Sequence, residues 1–252
     1  ELGRYLMNQP ASALEKKHKI KKGFGNGLRA DVWAQFVERT GISHLVEFYG
    51  STEGNVNFFN LDGKIGAVGR IPRLLRARLP ARILKFDVET EEPVRGPDGL
   101  CIEAAPDEPG EAVGPITHEP RQRFDGYNDE AQSKKKLLRD VFVKGDLWFR
   151  TGDLMKMDAD GYVYFVDRVG DTFRWKGENV STSEVEIAAS SMTGVKHAIV
   201  YGVSVPGHDG RAGMAALTPL DGIDLVGLYS HLAAQLPAYA RPVFLRLQGE
   251  VE

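Results

Sequence analysis

The sequence is poor in cysteine, with Cys101 alone among its 252 residues. One cysteine cannot form an internal disulfide, and no group of Cys and His residues has the spacing of a zinc site. The chain also shows no secretory signal, and none of its apolar runs approaches the roughly 18 residues that a membrane-spanning helix needs. These absences favour a reducing compartment, and we predict a cytoplasmic location.

An excess of basic residues is also missing. Lysine and arginine together number 32 against 35 aspartate and glutamate residues, so the formal net charge is −3. Because a protein devoted to nucleic acid needs positive charge to neutralise phosphates, we expect no nucleic-acid partner. Hydrophobic residues make up 42% of the chain, which is enough for a packed core. At about 150 residues per domain, the length corresponds to one or two domains.

Residues 1–60 carry the pattern of a doubly wound α/β sheet, in which parallel strands alternate with helices. Ile20–Phe24 and His44–Tyr49 are runs of strand length, and Asp31–Thr40 between them has the spacing of an amphipathic helix. Gly41 follows at the position where such a helix ends. We predict that residues 1–60 belong to an α/β subdomain.

Residues 61–168 change to short β-rich runs that are separated by turn signals. The predicted strands are Arg82–Val88, Gly99–Ala104, Trp148–Thr151 and Gly161–Val166. A helix is predicted to begin near Asp129 and to include Lys134–Arg139. This pattern predicts a distorted β-barrel subdomain or a strongly curved antiparallel sheet.

Residues 169–252 restart as a small α+β domain. A strand over Thr172–Trp175 is followed by a helix over Thr182–Ser191, for which Ser181 or Thr182 is a suitable N-cap. The other predicted elements are strands at Val195–Val203, Met214–Thr218 and Val243–Leu247 and a helix at Asp224–Leu236. No segment of 20 to 50 residues repeats, which argues against a solenoid.

The densest chemical signal is the segment Tyr49–Asn55, which reads Tyr-Gly-Ser-Thr-Glu-Gly-Asn. It follows a predicted buried strand, at the end of the strand where open α/β sheets bind ligands. A tyrosine ring can stack on a base, glycine lets phosphate approach the backbone, and a carboxylate can hold Mg²⁺. The alternative is an ordinary strand-to-loop turn with a surface glutamate, and the local pattern leaves both interpretations open.

A second candidate is Thr151-Gly152-Asp153, at the end of a β-rich run. A carboxylate in this position can accept hydrogen bonds from both hydroxyls of a ribose. The alternative is an aspartate that caps a turn, which is a common use of the residue. Taken alone, the segment favours the capping role.

A third candidate is the charged segment Asp167–Asn179, where the composition changes. Arg168 can bridge ribose and phosphate oxygens with its fork of donors. Gly170 permits the large φ and ψ changes that a hinge requires. Lys176 and Gly177 would leave room for a phosphate-bearing chain. The alternative is a charged β-turn on the surface.

Taken together and in this order, the three segments resemble the motifs of the adenylate-forming superfamily, which comprises acyl-CoA synthetases, luciferases and peptide-synthetase adenylation domains. Gly25-Asn26-Gly27 resembles its glycine turn, and Leu236–Pro242 resembles the motif before its final segment. Four segments look like the fatty-acid-transport-protein branch of long- and very-long-chain acyl-CoA synthetases: Val46–Asn55, Gly66–Arg70, Arg123–Tyr127 and Trp175–Val180. The resemblance covers essentially the whole chain.

The resemblance implies a two-step reaction. A fatty acid carboxylate attacks the α-phosphate of ATP to give an acyl-adenylate and pyrophosphate, and the thiolate of coenzyme A then displaces AMP. The implied cofactors are therefore ATP or AMP, Mg²⁺ and coenzyme A. The resemblance also makes residues 1–60 the C-terminal part of the adenylate-binding α/β subdomain and residues 169–252 a mobile, truncated C-terminal domain.

The resemblance assigns a role to each matching residue. Tyr49 would stack on adenine, Thr52 would hold the α-phosphate or the acyl carboxylate, and Glu53 would ligate Mg²⁺. Asp153 would clamp the ribose, and Arg168 would contact the ribose edge. The implied cofactor-binding residues are Gly25, Asn26, Gly27, Tyr49, Gly50, Ser51, Thr52, Asp153, Arg168 and Gly177. The implied catalytic residues are Thr52, Glu53, Arg168 and Lys176, of which Lys176 would line the thioester-forming face with Gly177.

Two parts of the superfamily pattern are missing from these residues: the Ser/Thr/Gly-rich phosphate loop with its lysine, and the late lysine that drives adenylation. Both ends of the chain also look cut. Because a lysine at a transferring phosphoryl group is worth several orders of magnitude in rate, we expect a fragment with little or no activity of its own. Two alternatives stay open, namely adenylation of an aryl or amino acid and a non-catalytic module that binds nucleotide or lipid.

A basic and apolar mixture occupies residues 70–82. Five arginines lie there among isoleucine and leucine residues: Arg70, Arg73, Arg76, Arg78 and Arg82. Such a mixture suits an anionic lipid surface, and it equally suits a solvated surface on which the arginines snorkel. Peripheral contact with the inner face of a membrane is therefore an open hypothesis.

Overall fold

The structure is a computed structural model of the chain. It describes residues 2–7, 9–50, 54–124, 126, 130–208, 210–220 and 223–249. The chain divides into two compact units. The larger unit comprises residues 1–86 and 93–165, and the smaller unit comprises residues 87–92 and 166–252.

Strands outnumber helices in the described part of the chain, and most of them follow one another without an intervening α-helix. Its α-helices are α1 (Leu2–Met7), α2 (Ala30–Thr40), α3 (Glu130–Lys135), α4 (Thr182–Ser190) and α5 (Leu225–Gln235), and short 3-10 helices cover Arg73–Leu75 and Pro120–Gln122. Its strands are β1 (Lys22–Gly25), β2 (His44–Gly50), β3 (Asn57–Asn60), β4 (Gly69–Arg70), β5 (Arg82–Asp87), β6 (Glu92–Pro93), β7 (Gly110–Pro115), β8 (Leu137–Arg139), β9 (Leu147–Met157), β10 (Tyr162–Arg168), β11 (Phe173–Trp175), β12 (Glu178–Val180), β13 (Val195–Ser204), β14 (Arg211–Pro219) and β15 (Phe244–Leu247).

The first sheet consists of β1, β2 and β3. β1 and β2 are parallel, and β3 is antiparallel to β2. Helix α2 connects the two parallel strands and contributes Trp33 to a buried cluster with Ile42 and Leu45. The helix ends at Gly41, whose φ of 74° is left-handed, so the predicted stop is confirmed.

A seven-stranded sheet forms the rest of the larger unit, in the order β4-β10-β9-β7-β5-β6 with β8 beside β9. The pairs β4–β10, β5–β7, β7–β9 and β8–β9 are antiparallel. Phe149, Met155 and Val163 lie in its buried core. This sheet occupies the region for which the sequence predicts a distorted barrel or a curved antiparallel sheet.

One strand prediction in this region is wrong. Residues Gly99–Ala104 form isolated bridges instead of a strand. The carbonyl of Ile102 accepts a hydrogen bond from Lys85 N–H, whereas the N–H of Ile102 donates to the carbonyl of Val94. Because the backbone bonds of the segment are divided between two neighbours, no continuous ladder forms.

The predicted helix that includes Lys134–Arg139 ends earlier than expected. Helix α3 stops at Lys135, and residues 137–139 form β8. Leu138 is buried and pairs with Trp148 of β9. The lysines favour a helix locally, but the strand pairing buries an apolar side chain, and the tertiary contact overrides the local preference.

The smaller unit is α+β, as the sequence predicts. It contains the sheet β13-β14-β15, the hairpin β11–β12, and helices α4 and α5. Val185 and Ala189 of α4 and Leu228 of α5 are fully buried in its core. The Oγ of Ser181 accepts a hydrogen bond from Glu184 N–H at 3.3 Å, so the predicted N-cap is confirmed.

The predicted fold class, α/β followed by α+β, is confirmed. The division into parts at residues 60 and 168 stays a prediction. Within the described residues, no helix has both the length and the apolar character needed to cross a bilayer.

Candidate functional site

Two predicted binding loops follow the carboxyl ends of neighbouring parallel strands of the first sheet. β1 ends at Gly25, which pairs with Glu47, and the parallel strand β2 continues past this pair to Gly50. Open α/β sheets bind ligands beyond the carboxyl ends of their strands. The glycine turn at residues 25–27 and the aromatic loop that begins at Tyr49 therefore lie at a position suited to a ligand.

The phosphate-binding and metal-binding part of the prediction falls on Ser51, Thr52 and Glu53. These three residues lie outside the described part of the chain, so their roles stay predictions. Among the residues that the structure describes, no group of three or more His, Cys, Asp or Glu is arranged to hold a metal ion.

A buried carboxylate holds the glycine turn in place. Glu47 is 2% exposed and accepts hydrogen bonds from the N–H groups of Gly27 and Leu28, the latter at 2.9 Å. Burial raises the pKa of Glu47, and the two N–H groups act in the opposite direction. Gly27 has a φ of 82°, a left-handed conformation that favours glycine. In the sequence, Glu47 stands out as a charged residue within an apolar strand. The motifs assign no role to it.

The sequence predicts that Thr151-Gly152-Asp153 follows the end of a strand. The structure corrects this prediction, because the segment lies inside β9. In the register between β7 and β9, these three residues stand opposite the single residue Ala112. The extra residues form a β-bulge, and Gly152 adopts a left-handed φ of 79°. Bulges re-aim side chains next to binding sites, and this one interrupts the ladder at Asp153.

The aromatic loop and the bulge meet through their side chains. The hydroxyl of Tyr49 donates a hydrogen bond to Oδ2 of Asp153, although the two residues are 104 positions apart in the sequence. Both side chains are half-buried. The Tyr49 ring also lies 5.8 Å from the ring of Phe58, centroid to centroid. The structure thus brings together the residue predicted to stack on adenine and the residue predicted to clamp the ribose.

The bulge is anchored by an ion pair that the motifs do not identify. Glu111 of β7 is fully buried, and Arg150 of β9 donates to it from Nε and from a terminal nitrogen, each at 2.9 Å. The N–H of Gly152 also donates to Oε1 of Glu111, at 3.2 Å. Burial raises the pKa of Glu111, and the hydrogen bond and charge of Arg150 oppose that shift. Glu111 therefore positions the backbone of the residue before Asp153.

Lys136 adds a cation on the other side of the bulge. Its Nζ donates a hydrogen bond to the carbonyl of Thr151 at 2.8 Å. The hydroxyl of Thr151 in turn donates to the carbonyl of Ala112 and accepts from the N–H of Asp153. A Cβ on Gly152 would lie 3.0 Å from Nζ of Lys136, so glycine leaves room for the lysine. The sequence contains no spacing signal that connects Lys136 with this motif.

The remaining predicted residues belong to the smaller unit. Arg168 is the exposed last residue of β10. Lys176 and Gly177 form the two-residue turn of the β11–β12 hairpin, with φ values of 53° and 84°. Two positive φ angles in succession are typical of a type I′ turn, which joins antiparallel strands tightly. Nζ of Lys176 lies 5.7 Å from the ring centroid of Trp175.

Asp167 ties the end of β10 to the start of α4. It is 2% exposed, and its carboxylate accepts hydrogen bonds from Thr182 N–H at 2.7 Å and from the hydroxyls of Thr182, Ser183 and Thr172. A carboxylate at a helix N-terminus satisfies free N–H groups and is favoured by the helix dipole. Asp167 is therefore a structural part of this motif, which holds the backbone next to Arg168.

Comparison with known proteins identifies the relatives of the chain. Long-chain fatty acid transport protein 1 of Mus musculus is 46% identical over 254 residues, which cover 100% of this chain and 39% of the mouse protein. Long-chain fatty acid transport protein 3 of Homo sapiens is 49% identical over 251 residues, which cover 98% of this chain and 36% of the human protein.

Along its whole length, the chain is related to the long-chain fatty acid transport proteins. The predicted resemblance to this branch of the adenylate-forming superfamily is therefore confirmed. The chain spans less than half of the length of these fatty acid transport proteins. No protein-family profile matches it.

A solved structure shares the fold. MatB from Rhodopseudomonas palustris, in its ATP-bound form, matches with a TM-score of 0.72 and 26% identity. The match covers 99% of this chain and 46% of MatB. This chain therefore shares its fold with MatB, whose solved structure is in the ATP-bound form.

Proposed function

We propose that the whole protein activates a long- or very-long-chain fatty acid with ATP and transfers the acyl group to coenzyme A, as an AMP-forming fatty acid–CoA ligase. The observation that carries this proposal is the hydrogen bond between Tyr49 and Asp153, which unites two nucleotide motifs in one place. The kinship with long-chain fatty acid transport proteins supports the acyl substrate. The ATP-bound form of MatB supports the nucleotide.

The side chains at the site suit an adenosine nucleotide. The carboxylate of Asp153 accepts hydrogen bonds, so it can bind the two hydroxyls of a ribose, and Tyr49 presents an aromatic face for the base. The hydroxyl of Tyr49 fixes the orientation of the carboxylate. The N–H groups of Gly27 and of the adjacent Leu28 donate to Glu47, so this turn would shape the base pocket rather than bind phosphate.

The reacting end of the nucleotide would meet the residues that follow Tyr49. Thr52 would hold the α-phosphate or the acyl carboxylate, and Glu53 would hold Mg²⁺, which neutralises phosphate charge when bound. Arg168 would contact the ribose edge, and Lys176 with Gly177 would line the path of coenzyme A. The site must exclude water, because an acyl-adenylate hydrolyses readily.

We further propose that residues 169–252 act as the mobile C-terminal domain that the resemblance implies. Gly170 lies close to the boundary between the two compact units. Its φ is 92°, and no atom lies within 4 Å of the position that a Cβ would take. A side chain at this position would therefore meet no neighbouring atom, and the positive φ is the one feature that favours glycine here.

The test is acyl-CoA formation by the full-length protein with a long-chain fatty acid, ATP and coenzyme A. Asp153→Asn removes a charged acceptor, and hydrogen bonds to charged groups are worth about 1.5–3 kcal/mol, so kcat/KM for ATP should fall roughly 10- to 100-fold. Tyr49→Phe keeps the ring and should cost less. Asp224→Asn is the matched control, because Asp224 caps α5 and asparagine caps equally well.

Two outcomes separate this proposal from its alternatives. ATP–pyrophosphate exchange that depends on an aryl or amino acid, and not on a fatty acid, would identify a different adenylating enzyme. Binding of AMP without exchange for any carboxylic acid would identify a non-catalytic module.

We also propose a cytoplasmic location at the surface of a membrane. The proposed substrate supports this location, because a long-chain fatty acid partitions into lipid. The single cysteine is consistent with a reducing compartment.

A further inference from the structure

Residues 73–79, here named the arginine loop, form a continuous exposed segment of the larger unit. The loop begins with a 3-10 helix at Arg73–Leu75 and is flanked by Pro72 and Pro80. Every residue from 73 to 79 is exposed. Leu74 is 97% exposed, Leu75 43% and Leu79 38%. Three leucines in one short surface loop are unusual, because exposed apolar groups gain nothing from water.

A small cavity lies next to the arginine loop. Its volume is about 130 Å³, and its lining includes the apolar residues Ile71, Ala81 and Ile83, the loop residues Arg73 and Arg76, and the acidic residues Glu103 and Asp158. None of the three leucines lines it. The leucines are therefore exposed although apolar residues lie close to the loop, and the conformation of the loop accounts for their exposure.

The loop conformation is fixed from inside the unit. Arg82 donates hydrogen bonds to the backbone carbonyls of Ala81, Leu79 and Arg76, at 2.8, 3.2 and 3.4 Å. Arg76 forms an ion pair with Glu103. These contacts brace the middle and the C-terminal end of the exposed stretch, and they do not involve the side chains of Arg73 and Arg78.

The charge of the segment has one sign. Residues 70–82 contain five arginines and no aspartate or glutamate. Within the described part of the chain, neither Arg73 nor Arg78 forms an ion pair. A pair of uncompensated guanidinium groups beside protruding leucines is complementary to a surface that offers anionic groups above an apolar layer.

We propose that the arginine loop docks the protein on an anionic lipid surface, with Leu74 inserted below the headgroups and Arg73 and Arg78 on lipid phosphates. A soluble polyanion would satisfy the arginines but would leave Leu74 in water, so a lipid surface accounts for both features. This inference rests on the proposed membrane location and names the surface that makes the contact. Vesicle binding needs neither ATP nor coenzyme A, so its failure is separate from failure of the ligase proposal.

The first experiment is flotation of the 252-residue chain with vesicles of phosphatidylcholine alone or mixed with phosphatidylserine. The chain should float with the mixed vesicles. The double variant Arg73→Gln/Arg78→Gln should lose roughly fivefold in partition coefficient per arginine, since each basic residue near an anionic surface is worth about 1 kcal/mol. Leu74→Ser should lose about tenfold, as expected for an exposed leucine that becomes buried in lipid.

The controls carry the same chemical changes elsewhere. Arg139→Gln/Arg246→Gln removes two exposed arginines outside the loop, and Val226→Ser alters a valine that is 77% exposed in the smaller unit. Both controls should float as well as the unaltered chain. Equal losses in loop and control variants, or equal flotation with both kinds of vesicle, would overturn the proposal.

A second experiment tests insertion. Leu74→Trp should be quenched by brominated phospholipid, whereas Val226→Trp should not. The native Trp33, Trp148 and Trp175 are at most 8% exposed, so they supply an unquenched background. Binding without quenching at position 74, or binding to heparin as tight as to mixed vesicles, would show that the loop is a polyanion site and would contradict docking on lipid.

Discussion

At the scale of single residues, the candidate site depends on side chains that lie behind the ones predicted to touch the ligand. Asp153 is held by a bulge, and the bulge is held by Glu111 and Arg150. A buried ion pair of this kind contributes little net stability compared with apolar residues, because both charges lose their hydration. The ion pair instead fixes geometry, because two donor atoms of Arg150 and the N–H of Gly152 all contact Glu111 and so hold the backbone that leads to Asp153.

Removal of one partner should therefore be more harmful than removal of both. Glu111→Ala leaves Arg150 as an uncompensated buried charge, and the free energy of unfolding of the larger unit should fall by about 3–5 kcal/mol. Glu111→Met/Arg150→Met should cost clearly less. Urea unfolding followed by tryptophan fluorescence measures both. A double variant as unstable as Glu111→Ala would refute the ion-pair explanation.

The raised pKa of Glu111 predicts a pH dependence with a definite sign. The folded state binds this proton more tightly than the unfolded chain, in which the pKa is near its usual value of 4.5. The contribution of Glu111 is thus fully present below that value and is lost as the pH rises through the raised pKa. The stability of the unaltered chain relative to Glu111→Gln should fall on going from acid to neutral pH. A difference that grows with pH would mean that Arg150 dominates over burial.

At the scale of secondary structure, the junction between β10 and α4 depends on Asp167. Its carboxylate accepts hydrogen bonds from the backbone and side chain of Thr182, at the first turn of the helix. The cap proper is Ser181, whose Oγ accepts from Glu184 N–H. The two residues satisfy different N–H groups, so their contributions can be separated.

Asp167→Ala should destabilise the smaller unit by about 3 kcal/mol, because a charged acceptor is lost and buried donors are left without partners. Ser181→Ala should cost about 1 kcal/mol, the usual value for an N-cap. Thermal unfolding followed by circular dichroism gives both values. Equal effects of the two substitutions would show that Asp167 is only a second cap.

The elements that the sequence predicts well have strong local signals. Helix α2 has a regular apolar face and a glycine stop, and helix α4 has a serine cap, so both are found within one residue of their predicted bounds. The failures at Gly99–Ala104 and at residues 137–139 share a cause. In each, the backbone conformation is set by pairing with neighbouring strands, which the local residue pattern of the segment itself does not contain.

At the scale of the whole molecule, each compact unit has its own hydrophobic core. Leu228 and Val185 belong to the core of the smaller unit, and Phe149 and Met155 to that of the larger. Units with separate cores are expected to change their relative position in function unless a large interface prevents it. This expectation agrees with the proposed rotation of residues 169–252.

Gly170→Ala tests that proposal. Alanine disfavours the left-handed φ of 92° by about 1–2 kcal/mol, so the arrangement that contains it should be depopulated roughly 5- to 30-fold. In the full-length protein, the adenylation and thioester-forming half-reactions should then change unequally. Single-turnover kinetics of each half-reaction measure the ratio, and Gly207→Ala is the control, since Gly207 also has a positive φ and open space around its Cβ. Equal changes in both half-reactions would exclude a hinge at Gly170.

The sequence alone determined the order of the motifs, the fold class and the family, and it predicted that Tyr49 and Asp153 belong to one site. The motifs, the fold class and the family can be recognised from short segments, because the residue types in each segment are sufficient to identify it. The tertiary structure decided that Glu47, Glu111 and Lys136 brace the site, since a buried carboxylate is recognisable only once its N–H and guanidinium partners are close in space. It also decided that the leucines of the arginine loop face the solvent. Burial is a property of the packed chain, and the hydrophobicity of a residue does not specify which neighbours cover it.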